Sequence, residues 1–301
     1  MSLRRKPAQL LILTALIALI ASAVVAQFDG GRGNRGSRND YRDNVIYGQT
    51  ENGWDILGAK NDWEIDERFE HEAFRFARVK YGSGGDESYY GRRGRRWGGG
   101  WRTDFPESDL NFPHRLRELT SLEVHPESVI VELTDDNLSD YPFLYLVEPG
   151  RGQMNLSTPE VEGLRRYLLN GGFLMVDDFW GPYEWEVFYE NIKRVFPDRE
   201  PQELPLEHDI FHIVYDLQEK PIIVGIGAWY SGQRTEQWDA QEAHYMGIFD
   251  DKGRMMVVIC HNTDLGDGWE EEGVDPRYFK EYSERFAYPL GINIITYAMT
   301  H

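Results

Sequence analysis

The sequence predicts an α/β domain: a three-layer, mostly parallel sheet with helices on both faces and an antiparallel hairpin addition. Three observations carry this expectation. Short apolar runs, "VIVEL" (Val129 to Leu133), "FLYLV" (Phe143 to Val147) and "FLMV" (Phe173 to Val176), suit strands buried on both faces. Segments of helical periodicity separate the second run from the third and follow the third. Near the C-terminus, "AHYMGIF" and "RMMVVIC" flank "DDKG", the pattern of a hairpin.

In chain order, Arg4, Arg5 and Lys6 precede an apolar run, Leu10 to Val25, which closes in small residues ending at Ala23 or Ala26. That pattern predicts a signal peptide over residues 1–26 and an exported protein, periplasmic or secreted after cleavage. The run is shorter than the roughly 20 residues that span a bilayer, so no stable transmembrane anchor is expected after cleavage. Residues 27–73 read as a Gly/Arg/Asn-rich tether with a loosely packed lead-in containing Trp54, Ile56 and Trp63. The domain is expected over 74–301, starting at the alternating strand "FRFARVKY", with a Gly/Arg-rich loop at 82–101.

Loss of the three leader cations takes the net charge from -19 to -22. So acidic a chain repels phosphates, which excludes nucleic acid as a partner despite the four arginines between Arg92 and Arg96. The one cysteine, Cys260, excludes an internal disulfide framework and reads as a buried structural residue.

The helix between Leu156 and Gly172 is marked at both ends. Ser157 and Glu160 have capping-box spacing, Pro159 sits in the first turn, and Gly171-Gly172 ends it. A second amphipathic helix places Trp185, Phe188, Ile192 and Val195 on one stripe before Pro197. "IFHIVYDL" alternates like a strand, and helical segments around Tyr278 to Phe286 and Pro289 to Met299 close the chain.

In a parallel sheet, ligands bind beyond the carboxyl ends of the strands, which selects three tips. "FLYLV" ends in Glu148, "FLMV" in Asp177 and Asp178, and "RMMVVIC" in His261 and Asn262, followed by Asp264 and Trp269. Neighbouring strand residues face opposite sides, so Asp177 and Asp178 are expected to have unequal roles. One accepts backbone N–H bonds in the turn or caps the next helix. The other is a base, a metal ligand or an acceptor, and two turn-capping acids are the alternative. No metal site or cofactor is assigned: the spacing of "HNTDLGDGWEEEGVD" is not that of an EF-hand loop, and its default reading is a solvated acidic loop. Trp101, Trp180, Trp229, Trp238 and Trp269 fall in expected loops, where aromatic faces beside acids suit sugar rings. Packing under the loops is the alternative.

Several motifs appear in order: "WRTDFPESDLNFPHRLRELTSL", "YPFLYLVEPG", "LRRYLLNGGFLMVDDFWG", "HDIFHIVYDL", "ICHNTDLGDGWE" and "AYPLGINIITYAMTH". Together they resemble the bacterial family described as domain of unknown function 4159, over roughly Phe74 to His301. The order strand, helix, Gly-Gly, apolar strand further resembles the class I glutamine amidotransferase-like (flavodoxin-like) fold and its ThuA-like relatives. The resemblance implies that His208 matches a loop histidine of the ThuA-like pattern, which makes it a candidate site residue. It also implies a protein partner, since such relatives accompany MoxR-type ATPases and von Willebrand A-domain proteins. Glutaminase activity is not expected, because Cys260 ends a strand of its own and no nucleophile elbow is present. The function expected is a ligand- or partner-binding module of the cell envelope, recognising a glycan or small ligand. The alternative is a carboxylate-dependent hydrolase of a glycan or ester that uses Asp177 or Asp178.

Overall fold

Alternating and apolar runs pair into strands in the computed structural model, which describes residues 45–50, 53–82, 100–151 and 153–301. The expected signal peptide, the first part of the tether and loop residues 83–99 lie outside the described residues. In the lead-in, β1 (Val45–Thr50) and β2 (Gly53–Ala59) form an antiparallel pair.

The main sheet has seven strands: β3 (Ala77–Lys80), β4 (Val129–Glu132), β5 (Phe143–Val147), β6 (Phe173–Asp177), β7 (Gln202–Glu203), β8 (His244–Phe249) and β9 (Met255–His261). Their order is β4-β3-β5-β6-β9-β8-β7. The five strands from β4 to β9 are parallel, whereas β8 runs antiparallel to both β9 and β7. After β4 the chain recrosses β3 to start β5, so the strand order reverses around β3 and β5. That placement corrects one expectation. "VIVEL" is an edge strand, with Val129 and Ile130 half-buried and Glu132 exposed, because β4 has a neighbour on one side alone.

Helices cover both faces. On one, α1 (Glu107–Leu119), α5 (Leu265–Glu270) and α7 (Tyr288–Thr300) bury Phe112, Trp269, Leu290 and Ile294 against Phe76, Tyr145 and Met175. On the other, α2 (Thr158–Leu169) and α3 (Gly181–Val195) bury Val161, Leu164, Phe188 and Ile192 against Val79, Leu146 and Val176. The remaining short helices are α4 (Ile226–Tyr230) and α6 (Pro276–Tyr278), the latter running into a π-helix over Phe279–Ala287. The ends of α2 follow from local chemistry. Ser157 and Glu160 form the reciprocal capping box, and Gly171 takes the positive φ of +110° that ends the helix.

"IFHIVYDL" is not a strand. It holds a single 3₁₀ turn, Asp209–Phe211, and then runs irregularly. The Asn293 side chain of α7 replaces a ladder here, accepting from Val214 N (3.1 Å) and Tyr215 N (2.8 Å) and donating to Tyr215 O (2.8 Å).

Parallel register aligns three tips at one edge. Val147 of β5 lies opposite Asp177, and Val176 opposite Ile259 of β9. Polar side chains beyond these pairs therefore meet over the end of the sheet.

Candidate functional site

The site begins with a charge placed inside a strand. Phe74, Phe76 and Arg78 follow one another at every second position, so Arg78 points into the core and is fully buried. Such a cation must be paired. Its guanidinium forms an ion pair with Asp109, donates to Ser108 Oγ (2.8 Å) and to the carbonyls of Trp101 (3.1 Å) and Thr103 (3.0 Å), and lies 5.0 Å from the Tyr145 ring centroid. Arg78 thereby ties the segment 101–106 and the first turn of α1 beside the strand tips, with Asp104 in that segment.

Asp177 is buried at the end of β6. Its Oδ2 accepts from Tyr145 Oη (3.1 Å), Leu265 N (2.9 Å) and Gly266 N (3.1 Å), so it holds the first residues of α5 against the sheet. Burial pushes its carboxyl up to about 7, against the lowering effect of these donors. Asp178 turns the other way. The backbone there is left-handed (φ +53°), and its Oδ1 accepts from Trp180 Nε1 (3.0 Å). Asp264 accepts from Asp267 N (2.8 Å), capping α5.

Asp104, Asp178 and Asp264 converge. Each offers a carboxylate oxygen within 4.8 Å of the others, and Asp104 forms a second such group with Asp267 and Glu270. Burial raises the carboxyls of Asp104, Asp178, Asp264 and Asp267 well above the ordinary range, and the acids raise one another further. Glu148 stands at the rim. It accepts from Thr103 Oγ1 (2.6 Å) and Gly100 N and lies 3.6 Å from Arg151, with burial raising its carboxyl.

Strain collects at the same place. Asp104 (φ +64°), Glu148 (φ +50°), Asp178 (φ +53°) and Asn262 (φ +61°) are all left-handed without being glycine. Each such residue costs on the order of 1 kcal/mol and persists where surrounding structure demands it.

The other candidates have different surroundings. Asn262 is a clip: Oδ1 accepts from Gly181 N (2.8 Å) and Nδ2 donates to Glu242 O (2.8 Å). His261 faces the opposite side of the sheet from Cys260, donates from Nε2 to Gly181 O (3.1 Å) and packs on Phe179 and Trp185. Burial pushes its imidazole down to about 4, so it is neutral at pH 7. His208 packs on Tyr297, which contacts Phe173 at the start of β6, so it lies at the far end of the strand from the acids. His208 therefore stands apart from the acidic tips, because α7 returns its neighbourhood to the amino ends of the strands.

Three of the five tryptophans follow the alternative of packing under the loops. Trp180 is 1 % exposed and Trp269 is sealed, stacking on Phe112 at 4.2 Å, so neither offers a ring to a sugar. Trp101 is buried too, Trp229 is half-buried, and Trp238 is exposed at 87 %. "LGDGWE" is not a solvated loop, because its helix α5 carries Trp269 into the core. Two surface depressions lie away from these residues, one beside Glu203, Lys220 and His244 and one beside Leu169, Arg254 and His301.

Sequence reasoning missed Asp104, Arg78, Tyr145 and Gly266. Arg78 is legible as a cation at a core-facing position, whereas nothing in the pattern around Asp104 distinguishes it from other loop acids.

A family model described as "Domain of unknown function (DUF4159)" matches residues 75–299. No curated protein matches the chain.

Proposed function

The chain belongs to the DUF4159 family, and from that premise we propose that it is an exported, non-glutaminase binding module of the cell envelope. The module takes a small ligand or a partner group at the acidic ends of β5, β6 and β9. We further read the fold as flavodoxin-like, in the class I glutamine amidotransferase-like (ThuA-like) group. The order of its five parallel strands, second-first-third-fourth-fifth, supports that reading.

One observation carries the function. Asp104, Asp178 and Asp264 meet at the strand tips, where ligands bind in open α/β sheets. Among the described residues, the cations beside the tips are committed: Arg78 to Asp109 and Arg151 to Glu148. Uncompensated buried acids favour a ligand that brings positive charge or several hydrogen-bond donors. With Trp180 and Trp269 buried, a cationic group suits the tip better than a stacked sugar ring.

The hydrolase alternative draws on the raised carboxyl of Asp177 beside Asp178, as a general acid needs. Against it, Asp177 is sealed and spends its Oδ2 on Tyr145 and α5. The two readings separate in one comparison of wild type with Asp178→Asn. Thermal unfolding is followed with organic cations and a peptidoglycan digest, and turnover is followed on aryl esters and the same digest. A stabilisation by ligand that Asp178→Asn abolishes, without turnover, is the expected result. Turnover by wild type that the variant loses would overturn the binding-module reading in favour of the hydrolase.

A further inference from the structure

We infer that the strand tips bind one hard divalent cation through the carboxylates of Asp104, Asp178 and Asp264. The inference rests on reading the tips as a binding site and names the ligand class.

The donor atoms have the required spacing. Three oxygens within 4.8 Å of one another fit around one ion at roughly 2.3–2.6 Å, the calcium range, since opposite ligands then stand about twice that distance apart. All three come from carboxylates, a donor set that favours Ca²⁺, Mg²⁺ or Mn²⁺ over softer metals. The softer candidates nearby do not join it: His261 packs on Phe179 and Trp185, and Cys260 lies in the apolar core.

Unpartnered atoms supply the independent observation. Among the described residues, Asp104 Oδ2 and Asp177 Oδ1 are sealed from solvent and have no hydrogen-bond partner. Asp177 as a whole has no exposed surface. Asp104 Oδ2 and Asp264 Oδ1 both face the Cα of Gly266, where an added methyl would collide with the first and stand 3.1 Å from the second. The two oxygens are thus turned toward one spot. A buried acceptor without a donor costs on the order of 1–3 kcal/mol, and a buried charge costs more. A proton would satisfy Asp104 Oδ2 alone, whereas a divalent ion would coordinate it together with Asp178 and Asp264 and offset two of their charges.

The supports for such a site are already in place. Trp180 Nε1 orients Asp178, Asp267 N orients Asp264, and Arg78 fixes the loop that carries Asp104. Asp104 and Asp267 each keep part of their surface exposed.

The test is isothermal titration calorimetry of the full chain after chelator treatment and dialysis, with Ca²⁺, Mg²⁺ and Mn²⁺ in turn. Thermal unfolding is read in parallel, and circular dichroism checks that each variant is folded. We expect saturable binding near one equivalent for at least one ion, with a rise in the unfolding midpoint. Asp178→Asn and Asp264→Asn should lose the binding, while the remote Glu203→Gln should keep it. If wild type binds none of the three ions, the cation site is overturned whatever the variants do. Binding that survives intact in both folded Asp variants also overturns it, by placing the ion elsewhere. Should spermidine or a glycan fragment stabilise wild type where metals do not, and Asp178→Asn abolish that effect, the binding-module reading stands without its metal. No response to any probe, with both variants more stable than wild type, sinks both.

Discussion

Replacing Arg78 with Met tests how the loop that carries Asp104 is held. The methionine keeps the apolar stem of Arg78 and removes every donor of its guanidinium. Asp109, 1 % exposed, is then left as a buried carboxylate without its ion pair, and the carbonyls of Trp101 and Thr103 lose their donor. Breaking one side of a buried ion pair costs about 3–5 kcal/mol. At about 2–4 °C per kcal/mol for a domain of this size, the unfolding midpoint should fall by roughly 6–20 °C. The assay is thermal and urea unfolding at pH 7, each followed by tryptophan fluorescence with chelator present. A cycle through Asp109→Leu isolates the pair from the packing. The double variant should cost about 1–3 kcal/mol less than the sum of the singles, because no charge is then stranded. A loss below about 1 kcal/mol for Arg78→Met, the scale of a solvent-exposed pair, would refute the reasoning. So would strictly additive losses around the cycle.

Two further outcomes follow from the same geometry. His261 titrates near 4 in the folded chain, below its ordinary 6.5, so its contribution to stability is complete above about pH 6.5 and is lost as the pH falls toward 4. Unfolding free energies of wild type and His261→Gln, measured from pH 7.5 to 4, should shift relative to each other by about 3 kcal/mol in favour of the variant at low pH; a pH-independent difference contradicts a buried neutral imidazole. In Gly266→Ala the new methyl would collide with Asp104 Oδ2 and stand 2.7 Å from the Tyr145 hydroxyl. Overpacking should cost about 1–3 kcal/mol in urea unfolding and abolish the calorimetric cation signal, and a variant equal to wild type in both measurements would remove the shared spot over Gly266.

Much of the chain's regular structure is written in short-range patterns. Ser157, Pro159, Glu160 and Gly171 mark both ends of α2, because a cap needs only the residues within one turn of it. The runs of β5 and β6 are legible as buried strands because an apolar segment four or five residues long has few other solutions. Alternation likewise separates Asp177 from Asp178 before any coordinates, since consecutive residues of a strand face opposite ways. That reasoning fails where one face of the environment is missing. "VIVEL" has the composition of a central strand, and only its position outside β3 makes it an edge. "IFHIVYDL" alternates as well as any strand, yet the Asn293 amide from the last helix takes the backbone groups that a ladder would use.

The site itself belongs to the tertiary structure. Sequence places Asp178 and Asp264 at strand tips, but whether those tips meet depends on the register of β6 beside β9. Asp104 has no strand tip of its own and reaches the cluster because Arg78, buried in β3, holds its loop by two carbonyls. Nor does composition tell a tryptophan on a surface from one beneath it. Trp180 and Trp269 lie in stretches that read as loops, and the layers above the sheet close over both. Helix ends and strand faces are set by neighbours a few residues away, and one chain suffices to read them. The meeting of three carboxylates is set by packing between segments far apart in sequence, where the folded geometry brings together charges that no local pattern links.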